Sequence, residues 1–356
     1  MTKESINSKL SEFDRTFFDK ETAINFLTFL KTKADVFAPQ QKGDSSFSYE
    51  QVNDVSKVVF NYPRTIQSIK KFFLPPRETL LTFNVNSNTF IKQKVAEKKK
   101  IFFAIHSYEM QAIKSLDYSF SNGNMESNYL SRRKNSVFIG IDYIPDAWHF
   151  AKSVGIDIEA TEGFSLFFYS TENGYIVFEV DNEGKKLLKE FGQGQPVTAG
   201  MFDIDDREFK TKIRYHHNRL PRIFDYVQKS KVWDKYAERC LGCGTCNLLC
   251  ATCYCFDIQD EVELDTVNGS RQRTWDSCML NNFAEVAGGE SFRESLGQRT
   301  RHRVYRKFKY ITDKSGMMHC VGCGRCSRYC PAGISLPEIV NDLIEDYEEK
   351  QMKQVI

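Results

Sequence analysis

The sequence predicts an α+β protein: a mixed α/β N-terminal domain followed by a mainly helical, cysteine-rich domain. Three observations lead there. Strand-length apolar runs alternate with stretches of helical periodicity as far as residue 200. All eleven cysteines then fall between Cys240 and Cys330, and none precedes Cys240. Finally, 41% apolar and 13% aromatic residues are ample for a buried core. The expected division is a scaffold or docking domain over 1–200, a helical connector over 201–239 and the cysteine domain over 240–356.

Taken in order, residues 1–20 are polar and read as partly ordered at best. Asp19 is placed to cap a helix over 21–33, with Ala23, Phe26, Leu27 and Leu30 on its apolar face. Phe37-Ala38-Pro39 ends that helix, and the Ser-, Asp- and Gly-rich segment 43–54 reads as a loop or hairpin tip. Breakers such as Leu74-Pro75-Pro76 interrupt short apolar runs before 80–83. A strand at 100–105 precedes a helix marked by Ala112, Ile113, Leu116 and Phe120. A second strand at 137–141 leads to a helix-like stretch near 145–154. Segments 164–169 and 174–180 form a hairpin around Glu172-Asn173-Gly174, and 184–191 is a short helix. Residues 205–239 look helical and charged. From Cys240 onward the strand signal disappears. The last helix carries a capping-box pair, Ser335 and Glu338, and a stripe of Leu336, Ile339, Val340, Leu343, Ile344 and Tyr347 that would cover its own domain's core.

Charge excludes one function class. The 49 Lys+Arg and 47 Asp+Glu residues leave a net +2, too little for a protein that coats nucleic acid. The polar start, Met1-Thr2-Lys3-Glu4-Ser5, leads into no apolar leader, and no run reaches the length of a membrane span. A cytoplasmic location is therefore expected, where metal ligation explains clustered cysteines better than disulfides do.

Two cysteine runs carry the chemistry. One is Cys240-x2-Cys243-x2-Cys246-x3-Cys250, and the other is Cys320-x2-Cys323-x2-Cys326-x3-Cys330 followed by Pro331. Three cysteines spaced by two residues let one tight turn present three thiolates to a cubane. Gly242, Gly244, Gly322 and Gly324 allow the dihedrals this needs. In bacterial-type ferredoxins the fourth cysteine ligates the other cluster. The expectation is a ferredoxin-like dicluster domain with two [4Fe–4S] clusters: Cys240, Cys243, Cys246 and Cys330 on one, Cys320, Cys323, Cys326 and Cys250 on the other. Structural zinc sites are the alternative, but zinc motifs pair two-cysteine units without a third at the same spacing. Cys246-x3-Cys250-x2-Cys253 also matches the radical-SAM spacing, yet too few residues follow for a partial barrel.

Cys253, Cys255 and Cys278 are left over. They read as buried thiols beside the clusters or, completed by His319 or Asp257, as a further metal site. The basic stretch Arg299, Arg301, His302, Arg303, Arg306, Lys307 and Lys309 reads as charge compensation for the clusters or as a docking face, rather than as an RNA-binding surface. No glycine-rich nucleotide loop follows a strand, so an independent reductase lacks a visible flavin site.

With these residues in hand, the sequence resembles the iron–sulfur β subunit of cytoplasmic sulfhydrogenase-type nickel–iron hydrogenases. It is also similar to the dicluster iron–sulfur component of anaerobic sulfite reductase. The resemblance rests on Cys240-Leu-Gly-Cys-Gly-Thr-Cys246, Thr252-Cys-Tyr-Cys255, Arg273-Thr-Trp-Asp-Ser-Cys278, Ala287-Gly-Gly-Glu290, Phe292-Arg293 and Cys320-Val-Gly-Cys-Gly-Arg-Cys326. Phe73-Leu-Pro-Pro-Arg-Glu-Thr-Leu80 resembles the hydrogenase-linked branch more than the sulfite-reductase branch.

The resemblance implies a non-catalytic electron-wiring subunit between a flavoprotein serving NAD(P)H or ferredoxin and a hydrogenase-type or sulfur-reducing catalytic subunit. It also implies further N-terminal cysteines, in a Gly-(Ile/Val)-Arg-Pro-Cys-Asp segment, an Asn-Cys and a Cys-Phe-Cys. This chain instead reads Ala104-Ile-His-Ser-Tyr108-Glu109, Asp142-Tyr143 and His149-Phe150-Ala151. On that alignment the N-terminal cluster is absent.

Overall fold

The computed structural model describes residues 10–96, 98–198 and 207–355. Its first strand, β1 (Arg15–Asp19), has only Phe17 and Phe18 buried, too short a pattern to read as a strand. Helix α1 (Lys20–Lys33) follows, with Asp19 accepting from the Thr22 amide at 2.8 Å and Ala23, Phe26, Leu27 and Leu30 fully buried. Strands β2 (Asp35–Gly43) and β3 (Ser46–Gln51) make a hairpin whose tip lies in the Ser/Asp/Gly segment. Then come β4 (Arg77–Asn84), β5 (Thr89–Lys92), β6 (Lys100–Ile105), α2 (Ser107–Ser121), α3 (Ser127–Arg133) and β7 (Ser136–Ile141). Strands β8 (Leu166–Ser170) and β9 (Gly174–Glu179) form the expected hairpin, and α4 (Asn182–Phe191) closes this part.

These strands build a seven-stranded sheet in the order β1-β9-β8-β7-β6-β2-β3. Its centre, β8-β7-β6-β2, is parallel, and both flanks are antiparallel. The parallel strands are buried on both faces, which is why β6 and β7 read as continuous apolar runs.

The helix-like stretch near 145–154 is instead a loop ending in one 3-10 turn, Ala151–Val154. The Asp146 carboxylate accepts from the Trp148 amide at 2.8 Å, and the Phe150 amide donates to the Gly322 carbonyl at 2.9 Å. Those amides are spent on a turn and on a distant segment, so no helical ladder forms. The expected boundary at residue 200 lies outside the described residues. The rest of the connector holds a 3-10 turn (His217–Arg219) and two short helices, α5 (Leu220–Phe224) and α6 (Val232–Ala237), between irregular segments.

Past Cys240 the chain forms α7 (Thr245–Leu248) and then, against the sequence expectation, a hairpin of β10 (Phe256–Val262) and β11 (Asn268–Trp275). Strand β11 pairs with β4, giving an antiparallel sheet in the order β10-β11-β4-β5. The hairpin was invisible because it is polar. Most of β10 is exposed, and the Arg273 guanidinium pairs with the buried Glu78 carboxylate where a strand would ordinarily bury apolar side chains. Next come α8 (Leu296–Tyr305), a π-turn over Arg306–Tyr310 and α9 (Ile311–Ser315), a continuous rod. Helices α10 (Arg325–Arg328) and α11 (Leu336–Val355) complete the fold. The α11 stripe Leu336, Ile339, Val340, Leu343 and Ile344 is buried in a core shared with Phe150, Ala151 and Phe308.

Candidate metal centre

Both cysteine runs use the same backbone device. Gly242 and Gly244 have φ of +63° and +76°, and Gly322 and Gly324 have +62° and +72°, left-handed conformations that favour glycine. Each run turns twice and then enters a one-turn helix, α7 or α10. The Gly242 amide donates toward Cys240 Sγ at 3.4 Å.

In the second run Cys320 and Cys323 are buried, whereas the first run reaches the surface. Cys250, Cys320, Cys323 and Cys326 line one cavity of about 20 Å³, together with Arg303, Lys307 and Phe150. In the first run Cys243 is exposed and its neighbour Leu241 is 68% exposed. Arg239, next to Cys240, donates to the Ala332 and Gly333 carbonyls at 3.2 and 3.4 Å, which draws the segment after Cys330 alongside this run.

Three cations are buried around these sulfurs: Arg303, Lys307 and Lys70, at 6%, 5% and 2% exposure. Arg303 Nε donates to Asn247 Oδ1 at 3.1 Å, Lys307 Nζ to Thr252 Oγ1 at 2.7 Å and Lys70 Nζ to the Cys253 carbonyl at 3.1 Å. Among the described residues none of the three meets a carboxylate. Burial opposes their charge, and for Lys70 it prevails and lowers the ammonium from its ordinary value. For Arg303 the Cys246, Cys326 and Cys250 sulfurs overcome it and hold the guanidinium well above its ordinary value; for Lys307 those of Cys250 and Cys253 overcome it and raise the ammonium. A lone buried charge costs several kcal/mol, so the compensating negative charge has to sit on the sulfurs. Cysteine-ligated iron–sulfur cores, which carry excess negative charge, fit this surrounding. Burial pushes the Cys246 thiol up to about 12, with the Cys326, Cys278 and Cys240 sulfurs adding to it and Arg303 opposing.

The N-terminal half clamps the second run. Arg64 donates to the Cys323 carbonyl at 2.8 Å and pairs with Asp146. Arg325 lies between Gly324 and Cys326, fully buried. It pairs with Glu109 of α2 and donates to the Thr65 carbonyl at 2.9 Å. Sequence reasoning missed Arg64, Lys70 and Glu109, whose roles are set by tertiary contact alone. Arg325 stood inside the quoted motif, and Arg303 and Lys307 inside the basic stretch read as charge compensation.

The positions where the resemblance calls for N-terminal cysteines do come together. The rings of Tyr108, Tyr143 and His149 meet with centroids 5.1 to 5.5 Å apart, and Ala151 packs against Gly322. The three rings fill the space between these positions. Ala104, at the pattern's glycine, has φ +57°.

The three remaining cysteines also converge. Cys253, Cys255 and Cys278 line a second cavity, of about 30 Å³, with His302 and His319. Asp257, the other fourth donor considered from sequence, lies on β10 and does not line it.

Comparison with known proteins is consistent with this arrangement. A 4Fe-4S dicluster domain is matched over residues 239–334. Subunit beta of sulfhydrogenase 2 from Pyrococcus furiosus is 33% identical over 329 residues, covering 90% of this chain and 95% of that protein. The chain belongs to the sulfhydrogenase β-subunit family. It is therefore an iron–sulfur protein of the [4Fe–4S] kind and an electron-transfer subunit. No solved structure matches this family member. Among its described residues no helix is long and apolar enough to cross a membrane.

Proposed function

We propose that this chain relays single electrons within a hydrogenase complex, between a flavin subunit serving NAD(P)H or ferredoxin and a hydrogenase-type catalytic subunit. Two [4Fe–4S] clusters carry the relay, with Cys240, Cys243, Cys246 and Cys330 on one and Cys320, Cys323, Cys326 and Cys250 on the other. The observation that carries the reading is Cys250 lining the cavity of the second run beside buried, carboxylate-free cations. When bound, each core takes up and returns one electron without making or breaking a bond. The chain's own residues set the conditions. Arg303 and Lys307 favour added negative charge, the glycine turns fix the thiolates, and the apolar shell around Phe150 excludes water. The exposed Cys243 and Leu241 support electron exchange with a partner at the first run.

Anaerobic purification of the tagged chain tests the partners: a flavoprotein and a nickel–iron subunit co-purify, and hydrogen-dependent NAD(P)+ reduction needs this chain. Unchanged reduction without it would refute the reading. The crossed ligation has its own test. Cys250→Ser and Cys326→Ser should alter the same EPR signal, and Cys330→Ser the other one.

A further inference from the structure

Cys253, Cys255 and Cys278 stand outside the crossed ligand sets, yet the fold brings them together. Cys253 and Cys255 precede β10 and Cys278 follows β11, so the hairpin returns the chain to its own start: the Asp276 amide donates to the Cys255 carbonyl at 3.1 Å. The Asn247 side-chain amide donates to Cys278 Sγ at 3.0 Å, as amides do to metal-bound sulfur. His319 completes the setting. It is 1% exposed, lines the same cavity and has no hydrogen-bond partner on either ring nitrogen.

We propose that Cys253, Cys255, Cys278 and the imidazole of His319 ligate a third [4Fe–4S] cluster.

Two observations favour a metal core there over inert thiols. Burying the thiols alone leaves both His319 nitrogens unsatisfied. The cavity is no smaller than the one lined by Cys250 and the second run. A third consequence is positional. Asn247 follows Cys246 and His319 precedes Cys320, so this centre borders both runs.

The proposal adds to the two-cluster reading, and one comparison separates the two. The full chain, purified anaerobically, is assayed for iron, acid-labile sulfide and zinc beside Cys255→Ala. Three clusters give about twelve irons per chain and no zinc, and the variant about eight. The decisive quantity is the difference, about four irons. No difference overturns the third cluster. A lower total with the difference intact supports the third cluster and faults the two-cluster reading. His319→Cys guards against misfolding: it keeps the iron content of the intact chain but loses an imidazole-nitrogen coupling seen by pulsed EPR in the reduced protein. If the intact chain shows no such coupling, His319 is not the ligand and the proposal falls.

Discussion

Lys307 lies in the π-turn, where the chain bends its side chain toward Cys250 and Cys253 and away from solvent. Replacing it by methionine keeps the volume and removes the charge that favours an added electron. Lys307→Met should lower the potential of the buried centre by roughly 60 mV, equivalent to about 1.4 kcal/mol of lost attraction, in an EPR-monitored redox titration. A second residue sets acid sensitivity. Burial, with the Arg64 charge, holds the His149 imidazole down to about 4 from 6.5, against the pull of Asp146. Its folded pKa is the lower one, so its stabilisation is complete above 6.5 and is lost as pH falls toward 4. Between pH 7 and 5 this costs on the order of 2 kcal/mol. His149→Gln should shrink the difference in unfolding free energy between those two pH values, and an unchanged difference would count against the assignment. Ala104 holds a left-handed backbone angle, so Ala104→Gly should stabilise the chain by about 1 kcal/mol in denaturant unfolding. Residue roles were unevenly legible. The two cysteine runs and their glycine turns are legible because their spacing is local, whereas Lys70, Arg64 and His149 are ordinary residues until the fold places them.

At the second run two segments of backbone approach closely. A Cβ on Gly322 would lie 2.4 Å from Ala151 Cα and 2.5 Å from its amide nitrogen, and one on Gly324 would lie 2.3 Å from the Trp148 carbonyl oxygen. Backbone faces backbone there, and neither side can yield. Gly322→Ala should therefore cost about 3 kcal/mol or more and lower the cluster content, read from visible absorbance and iron assay. Gly333→Ala is the control: its nearest neighbour is the Arg239 side chain at 3.9 Å, so only its own left-handed angle is strained. The elements legible in the sequence, such as α1, β6, β7 and α11, bury apolar side chains periodically. The missed hairpin, β10–β11, is polar and held by Arg273, Glu78 and Arg132. Hydrophobic periodicity is blind to strands that bury ion pairs.

At the scale of the molecule, the two halves share both a sheet and a core. The Arg325–Glu109 pair is buried between them, and removing one partner strands the other charge. Arg325→Met should destabilise the chain by about 3–5 kcal/mol. It should not split unfolding into two steps, because β4 and β11 tie the halves into one cooperative unit; calorimetry showing two separated transitions would contradict that unity. The same pairing has a consequence for biogenesis. Leu81 lies opposite Arg271, so the small sheet closes only after the later segment has emerged from the ribosome. The cysteines at 253, 255 and 278 cannot be held in their final positions before that moment. Assembly of that corner is thus a late step of folding: a chain arrested before residue 275 leaves the Cys253 and Cys255 thiols loose, and a finished one holds them with Cys278 around one cavity.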